Sequence, residues 1–288
     1  MEKSHSFGLN SLVLKIIGIV LMTLDHIALL FLPSTDLAYE VLRSIGKISF
    51  PIFAFLAVEG AYKTHNIRNY LLRLGIIAVL MDVFGYIIGA ITHITVASNP
   101  LIGNVFTDLF LGVLLVYLLK RKDKFSFLAI IPFTLAILSN INIDINYGTI
   151  IKADWGTFSI VLFTLFFIAR ETADYFVTKR NQDVGLTDEL LEKEKFKYSK
   201  IFQAVALILT ELIFNLIWHI DYTSSFLPNE FIPIGTYSTL AFIFILLYNG
   251  KKGFKSKNIQ YLFYAYYPLH LLILGIISLF YGTLASFL

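Results

Sequence analysis

Ser11 to Leu32, SLVLKIIGIVLMTLDHIALLFL, is an apolar run of membrane length with an acid and an imidazole side by side inside it. About 20 mostly apolar residues suffice to cross a bilayer as a helix. A charge near the centre of such a helix costs at least ~2.5–3.5 kcal/mol on insertion scales, so it is not carried there without a reason. Asp25 and His26 stand roughly two thirds of the way along the run, at 1.5 Å rise per residue. The rest of the chain reads as spans that surround this pair.

Composition supports that reading. Of the 288 residues 57% are hydrophobic and only 15% charged, where soluble domains carry ~25% charged residues. That leaves too little polar surface to cover a soluble particle, so the expectation is an all-α, polytopic membrane protein forming one integral-membrane domain over 1–288. The basic residues fall into loops rather than onto one face, which gives no nucleic-acid reading. Without cysteine there is no disulfide framework, thiolate metal site or covalent thiol intermediate. The first run is longer than a signal-peptide core and lacks a small-residue cleavage pattern, so it reads as uncleaved.

In chain order the expected spans are Ser11 to Leu32, Ile45 to Tyr62, Tyr70 to Ile91, Leu101 to Leu119, Phe125 to Ser139, Trp155 to Val177, Ile201 to Ile220, Phe231 to Leu247 and Ile259 to Ser286. Pro33 to Arg43 reads as an outer loop, and 178–200 as a charged cytoplasmic loop. Every second connection is basic: Lys63 to Arg73, Lys120 to Lys124, Lys179 to Lys200 and Lys251 to Lys257. The positive-inside rule then gives nine spans, with the amino terminus cytoplasmic and the carboxyl terminus outside.

With that orientation, polar groups of several spans share the outer half of the membrane. They are Asp25 and His26, Arg43 and Lys47, Asn104, Thr107 and Asp108, and Glu211, Asn215 and His219. His270 lies slightly inside mid-membrane, just after Tyr266, Tyr267 and Pro268. Lipid cannot solvate these groups, so they must face one another or a watery cavity. Structural readings stand beside functional ones. Asp25 can pair with Arg43 or Lys47 to lock two helices, and His26 can bond a backbone carbonyl or handle protons near neutral pH. Asn104 and Thr107 can serve as a helix start. Glu59 stands one turn from Lys63 and suits an ion pair, while Asp82 and Glu211 are deeper. There is no nucleophile elbow, P-loop, HExxH or dinucleotide glycine pattern, and the scattered histidines predict no metal. Imidazoles, carboxylates and amides at a membrane chamber, with basic residues on the cytoplasmic side, suit group transfer from a soluble phosphorylated donor.

LKIIGIVLMTLDHIALLF (14–31), LRSIGKISFPIFAFLAVEGAYKTHNIRNYLLRL (42–74), NVFTDLFLG (104–112) and YAYYPLHLLIL (264–274) together resemble the TraX family. These are membrane proteins named for the conjugative-plasmid protein that acetylates the amino terminus of F-type pilin, and they are similar to the wider membrane acyltransferases. The resemblance covers the first ~120 and last ~30 residues, and the matched positions are Asp25, His26, Arg43, Gly46, Phe50, Pro51, Glu59, Gly60, Tyr70, Arg73, Asn104, Thr107, Tyr267, Pro268 and His270. The family's Gly-Arg pair reads Gly46-Lys47 here. The resemblance implies acyl-CoA, with acetyl-CoA foremost, as co-substrate, and a bacterial cytoplasmic-membrane location. The expected acceptor is a glycan, lipid or peptide of the cell surface or of an exported molecule.

For such a reaction His26 is the expected general base, with Asp25 or Asp108 stabilising the charged imidazole. Asn104 and Thr107 would donate to the developing oxyanion, and His270 would be a second proton carrier or a support. Arg68, Arg73, Tyr70, Lys120 and Arg121 are the expected acyl-CoA-binding residues. Arg43, Lys47, Glu59, Asp82, Asp108, Glu211 and Tyr267 are acceptor-binding or structural polar groups. Two other classes use the same residues: a proton-coupled transporter of a small molecule or lipid, and a membrane scaffold in which they only fix helix packing.

Overall fold

Three backbone hydrogen bonds tie the start of the first helix to the segment that precedes the last. In the computed structural model, which describes residues 8–92, 104–139, 153–217, 234–253 and 256–285, Leu9 N–H donates to Leu247 O at 2.8 Å and Asn249 N–H to Leu9 O at 2.9 Å. Ser11 N–H donates to Lys251 O at 2.9 Å. Asn10 then caps the first helix, its side chain accepting from Val13 N–H at 3.0 Å. Gly253, at φ +78°, lies against that cap, where a Cβ would come within 2.7 Å of Asn10 Oδ1.

The helices are α1 (Ser11–Phe31), α2 (Leu37–Gly46), α3 (Ser49–Lys63), α4 (Ile67–Thr92), α5 (Val105–Lys120), α6 (Ile130–Leu138), α7 (Gly156–Val184), α8 (Asp188–Ile217), α9 (Ala241–Leu247) and α10 (Lys257–Ala285). Short 3-10 stretches, Ser126–Ala129 and Ile234–Leu240, precede α6 and α9. No strand occurs among the described residues, so the chain is all-helical there. Among the described residues four segments are long and apolar enough to cross a membrane: Ser11–Phe31, Leu37–Lys63, Ile67–Ile87 and Tyr261–Ser278. The other expected spans fall short of that standard for different reasons. Helix α5 has 16 residues and α6 has 9, whereas α7 and α8 are long but charged.

Two boundaries differ from the sequence reading. The expected outer loop before Arg43 is largely helix: α2 starts at Leu37 and leads, through a turn at Lys47 and Ile48, into α3. The result is one broken helix rather than a loop and a span. The polar residues that suggested a loop, Glu40 and Arg43, lie on a one-faced helix whose arginine finds a carboxylate on α1. The 178–200 segment is also mostly helical. Helix α7 runs to Val184, Gly185 closes it in the left-handed conformation at φ +66°, and α8 starts at Asp188. At 29 and 30 residues these helices are about 44 Å long, against a hydrocarbon core of about 30 Å.

By packing the chain divides into two compact units, 1–52 with 211–288, and 53–210. In the first, α1 packs on α2 and α10. Lys15 lies over the ring of Phe263, Thr23 meets Tyr266 and His26 meets His270. The numbers rise together, so α1 and α10 are parallel. In the second, α5 packs against α4, α6 and α7. Helix α4 leaves Leu72, Ile76, Val79, Leu80, Val83 and Ile87 exposed, a helical stripe suited to lipid.

The α5–α7 crossing is set by one glycine. A Cβ on Gly112 would stand 2.3 Å from Cδ2 of the fully buried Phe163. Gly112→Ala is therefore expected to destabilise the protein by about 1–3 kcal/mol through overpacking. Gly275→Ala in α10, where nothing lies within 4 Å, should be neutral or stabilise by up to about 1 kcal/mol. Thermal unfolding of both variants in detergent checks the pair.

Candidate functional site

The first unit holds a pair of facing imidazoles. His270 Nδ1 lies 3.0 Å from the backbone carbonyl of Tyr266, and His270 Nε2 lies 3.1 Å from His26 Nδ1. A carbonyl can only accept, so Nδ1 of His270 carries the proton. With neutral rings, Nε2 of His270 is then an acceptor and Nδ1 of His26 the donor to it. This leaves Nε2 of His26 with its lone pair, as a base requires.

The pair is held from both helices. The Tyr266 ring stacks on His270, with centroids 5.2 Å apart and planes at 11°. Its hydroxyl meets Thr23 Oγ1 at 2.8 Å. Because Thr23 donates to Ile19 O at 2.8 Å, Tyr266 is the donor between the two hydroxyls. Tyr267 presents its edge to His26 and His270, at 6.4 and 5.4 Å. Pro268, which lacks an N–H, interrupts the backbone ladder beside these aromatic residues. The sequence reading does not name Thr23 and gives Tyr266 no role beyond standing before His270. Their signal was spacing: Tyr266 precedes His270 by four residues and Thr23 precedes His26 by three, which stacks them on one helix face.

One turn of α1 also carries an ion pair. Arg43 Nη1 donates to Asp25 Oδ2 at 2.6 Å, and Lys47 Nζ stands 3.9 Å from the same oxygen. Gly46 makes the close approach possible, since a Cβ there would fall 2.4 Å from Asp25 Cβ. Asp25 is thus engaged by α2, and His26 meets a second imidazole as well as the Met22 backbone of its own helix. Glu211 is buried in α8 of the same unit. The side chain of Asn215 and the whole of His219 lie outside the described residues.

In the second unit the expected polar residues do structural work at helix ends. Asn104 caps α5, accepting from Phe106 and Thr107 N–H at 3.0 and 3.3 Å. Its Nδ2 donates to Ala78 O at 3.1 Å and to Asp82 Oδ1 at 3.0 Å. Both amide protons are spent, so donation to an oxyanion would require releasing one. Thr107 is buried in the first turn of α5. Asp108 is the acceptor for the start of α7, taking the N–H groups of Asp154, Trp155 and Gly156 at 2.9, 3.0 and 2.9 Å. A carboxylate on one helix thereby satisfies donors that another helix cannot pair.

A second ionic cluster of this unit centres on Tyr62. Glu59, almost fully buried, accepts from Lys63 at 2.7 Å and from Arg170. Arg170 and Lys120 lie 4.1 and 4.0 Å from the Tyr62 ring, and Tyr62 donates to Glu171 at 2.9 Å. Lys122 pairs with Glu171 at 2.5 Å, and this hydrogen bond and charge hold its amine above the usual lysine range. Lys120 also donates to Ala61 O at the end of α3, at 3.2 Å. Arg121 pairs with Asp123 at 2.8 Å, and its hydrogen bonds hold that carboxyl below the usual range. Two of the expected acyl-CoA-binding residues are therefore committed within the protein. Arg68 is exposed and Arg73 half-buried at the start of α4, and neither makes an ion pair among the described residues. Tyr70 packs on Gly60. Arg170 and Glu171 were not anticipated; a charge pair inside the apolar run LFFIARETADYF was the available signal. No group of His, Asp and Glu among the described residues is arranged to hold a metal.

The TraX profile, described as TraX protein, matches residues 11–176 and again 150–278. The chain belongs to the TraX family. A relative, "Probable fimbrial assembly protein FimC, serogroup H1" of Dichelobacter nodosus, is 27% identical over 274 residues. That match covers 94% of this chain and 96% of the relative. No solved structure matches the chain. The family match spans the His26 and His270 regions alike, so both halves of the imidazole pair lie within it.

The carboxylate at the start of α7 gives a direct prediction. Asp108→Ala leaves three backbone N–H groups without their acceptor and should cost about 1–3 kcal/mol. Asp108→Asn retains one acceptor oxygen and should cost less. Unfolding temperatures in detergent separate the two.

Proposed function

We propose that this TraX-family protein is a membrane acyltransferase that moves an acyl group, acetyl foremost, from cytoplasmic acyl-CoA to a hydroxyl or amine of an exported or cell-surface acceptor. The observation that carries the reading is the His26–His270 pair, whose hydrogen bond, with both rings neutral, puts the lone pair of His26 on Nε2. In the reaction the acceptor attacks the thioester carbonyl as its proton passes to that nitrogen. The acyl carbon–sulfur bond then breaks, the acyl group stays on the acceptor, and the thiolate leaves and is protonated as the CoA thiol. Protonation of His26 strengthens its Nδ1–H bond to His270, so the second ring shares the charge that a carboxylate would otherwise neutralise. A general base of this kind contributes about 10²–10⁴ in rate.

Nine spans, with a cytoplasmic amino terminus and an outer carboxyl terminus, are the topology we assign. The alternation of basic loops supports it. The parallel packing of α1 and α10, which start at one tied face beside Lys251 and Lys252, supports opposite sides for the two ends. Asp25 and His26 then lie about 22 Å along α1 from that face, nearer the outer side. Arg68 and Arg73 are the cations we assign to the CoA phosphates. A relative described as a fimbrial assembly protein supports an exported acceptor, and the same context supports a bacterial cytoplasmic-membrane location. Facing imidazoles also suit a proton relay in a transporter, and one assay separates the classes.

That assay follows release of free CoA thiol from a panel of acyl-CoAs by detergent-purified protein, supplied with an envelope extract as acceptor source. The absence of cysteine keeps the readout clean. Wild type should turn over, and His26→Ala should lose at least about 100-fold in rate at an unchanged unfolding temperature. Equal rates in a stably folded His26→Ala would exclude His26 as the base. Wild type that neither turns over nor is stabilised by acyl-CoA would favour transport.

A further inference from the structure

Tyr266 meets the imidazole pair and its partner helix in three ways. Its backbone carbonyl lies 3.0 Å from Nδ1 of the buried His270, and its ring stacks on that imidazole with planes at 11°. Its hydroxyl reaches across to Thr23 of α1 at 2.8 Å. Thr23 spends its own proton on Ile19 O at 2.8 Å, so the hydroxyl chain runs one way, from Tyr266 to Thr23 to the α1 backbone. Two polar rungs therefore join α1 to α10: Thr23 with Tyr266, and His26 with His270. Neighbouring residues of a helix point ~100° apart and one turn rises ~5.4 Å. Rotating α1 by one residue, or sliding it by one turn, thus breaks both rungs together. Apolar contact between helices in lipid does not select this register.

The imidazole rung could run in either direction, because two neutral rings share one hydrogen bond with either as donor. When Nδ1–H of His26 donates, the His26 lone pair is on Nε2. When Nε2–H of His270 donates, the His26 proton sits on Nε2 and that nitrogen can no longer act as a base. The first arrangement requires that His270 keep its proton on Nδ1, against the Tyr266 carbonyl. The stacked Tyr266 ring sets the plane of His270, and tilting that plane moves Nδ1 off the carbonyl and Nε2 off His26 at once. Resting on the acyl-transfer reading for the reaction served, we infer that Tyr266 and Thr23 are positioning residues, whose hydroxyl bond holds His270 in the tautomer that leaves His26 able to take the acceptor's proton. Neither touches a reacting atom. A hydroxyl bond that only stiffened the helix contact would lower stability and leave the tautomers unchanged.

The test reads tautomers without turnover, so its failure is distinct from failure of the acyl-transfer reading. Nitrogen NMR of detergent-purified protein carrying labelled histidine separates Nδ1–H from Nε2–H rings, and His26→Gln and His270→Gln spectra assign the signals. In wild type both rings should carry the proton on Nδ1. Tyr266→Phe keeps the ring and removes the hydroxyl, and Thr23→Val removes its acceptor. Each should raise the Nε2–H form of His26 about tenfold, while Thr23→Ser should keep the wild-type spectrum. In the CoA-thiol assay the same two variants should lose about tenfold in kcat at unchanged KM. The double variant should be no worse than either single one, because the two hydroxyls form one bond. A wild-type His26 protonated on Nε2 would overturn the inference. So would wild-type tautomers in folded Tyr266→Phe or in folded Thr23→Val, even beside a lowered kcat.

Discussion

A lipid interior gives a polar group nothing to bond to, and every charged or imidazole side chain placed there needs a partner from another helix. The described structure is organised by that demand. Asp25 is answered by Arg43 on α2, His26 by His270 on α10, and Asn104 by Ala78 and Asp82 on α4. Each pairing fixes a helix contact as well as a charge. Apolar surface does not discriminate between one helix face and another when lipid is as oily as leucine; specific polar pairs do.

The same demand applies to the backbone. The first N–H groups of a helix have no partner within it, and side chains of neighbouring segments supply one here. Asn104 serves its own helix, α5, while Asp108 of α5 serves α7. Residues that look like chemistry in a sequence, an amide and an acid four residues apart in an apolar run, thus have a sufficient structural occupation. The imidazole pair differs. With both rings neutral its hydrogen bonds place a lone pair on Nε2 of His26, and the aromatic rings of Tyr266 and Tyr267 order the pair.

Much of this was legible in the sequence, for physical reasons. Apolar runs of membrane length mark helices whatever their partners, and Asp25, His26 and His270 stand out because charge and imidazole are rare in such runs. The loop before Arg43 was misread because local polarity signals a loop, while α2 is helical through a long-range pairing with α1 that no local pattern contains. Which acid serves which group was likewise not legible: Asp25 and Asp108 are both buried carboxylates in apolar helices, and only the fold assigns one to an arginine and the other to a helix end. The Tyr62 cluster joins residues from α3, α5 and α7 and the loop after α5, a combination without a sequence signature.

The pairing of α1 with α10 also sets an order of events at the ribosome. Asp25 meets Arg43 only 18 residues later, so the first charge to enter the membrane is answered almost at once. His26 waits 244 residues for His270, on the order of tens of seconds at ordinary synthesis rates. During that time α1 must lie in the membrane with its imidazole unanswered by the last helix. The imidazole pair is therefore assembled last, when α10 closes alongside α1, and a chain interrupted anywhere before that helix would carry the first histidine without its mate.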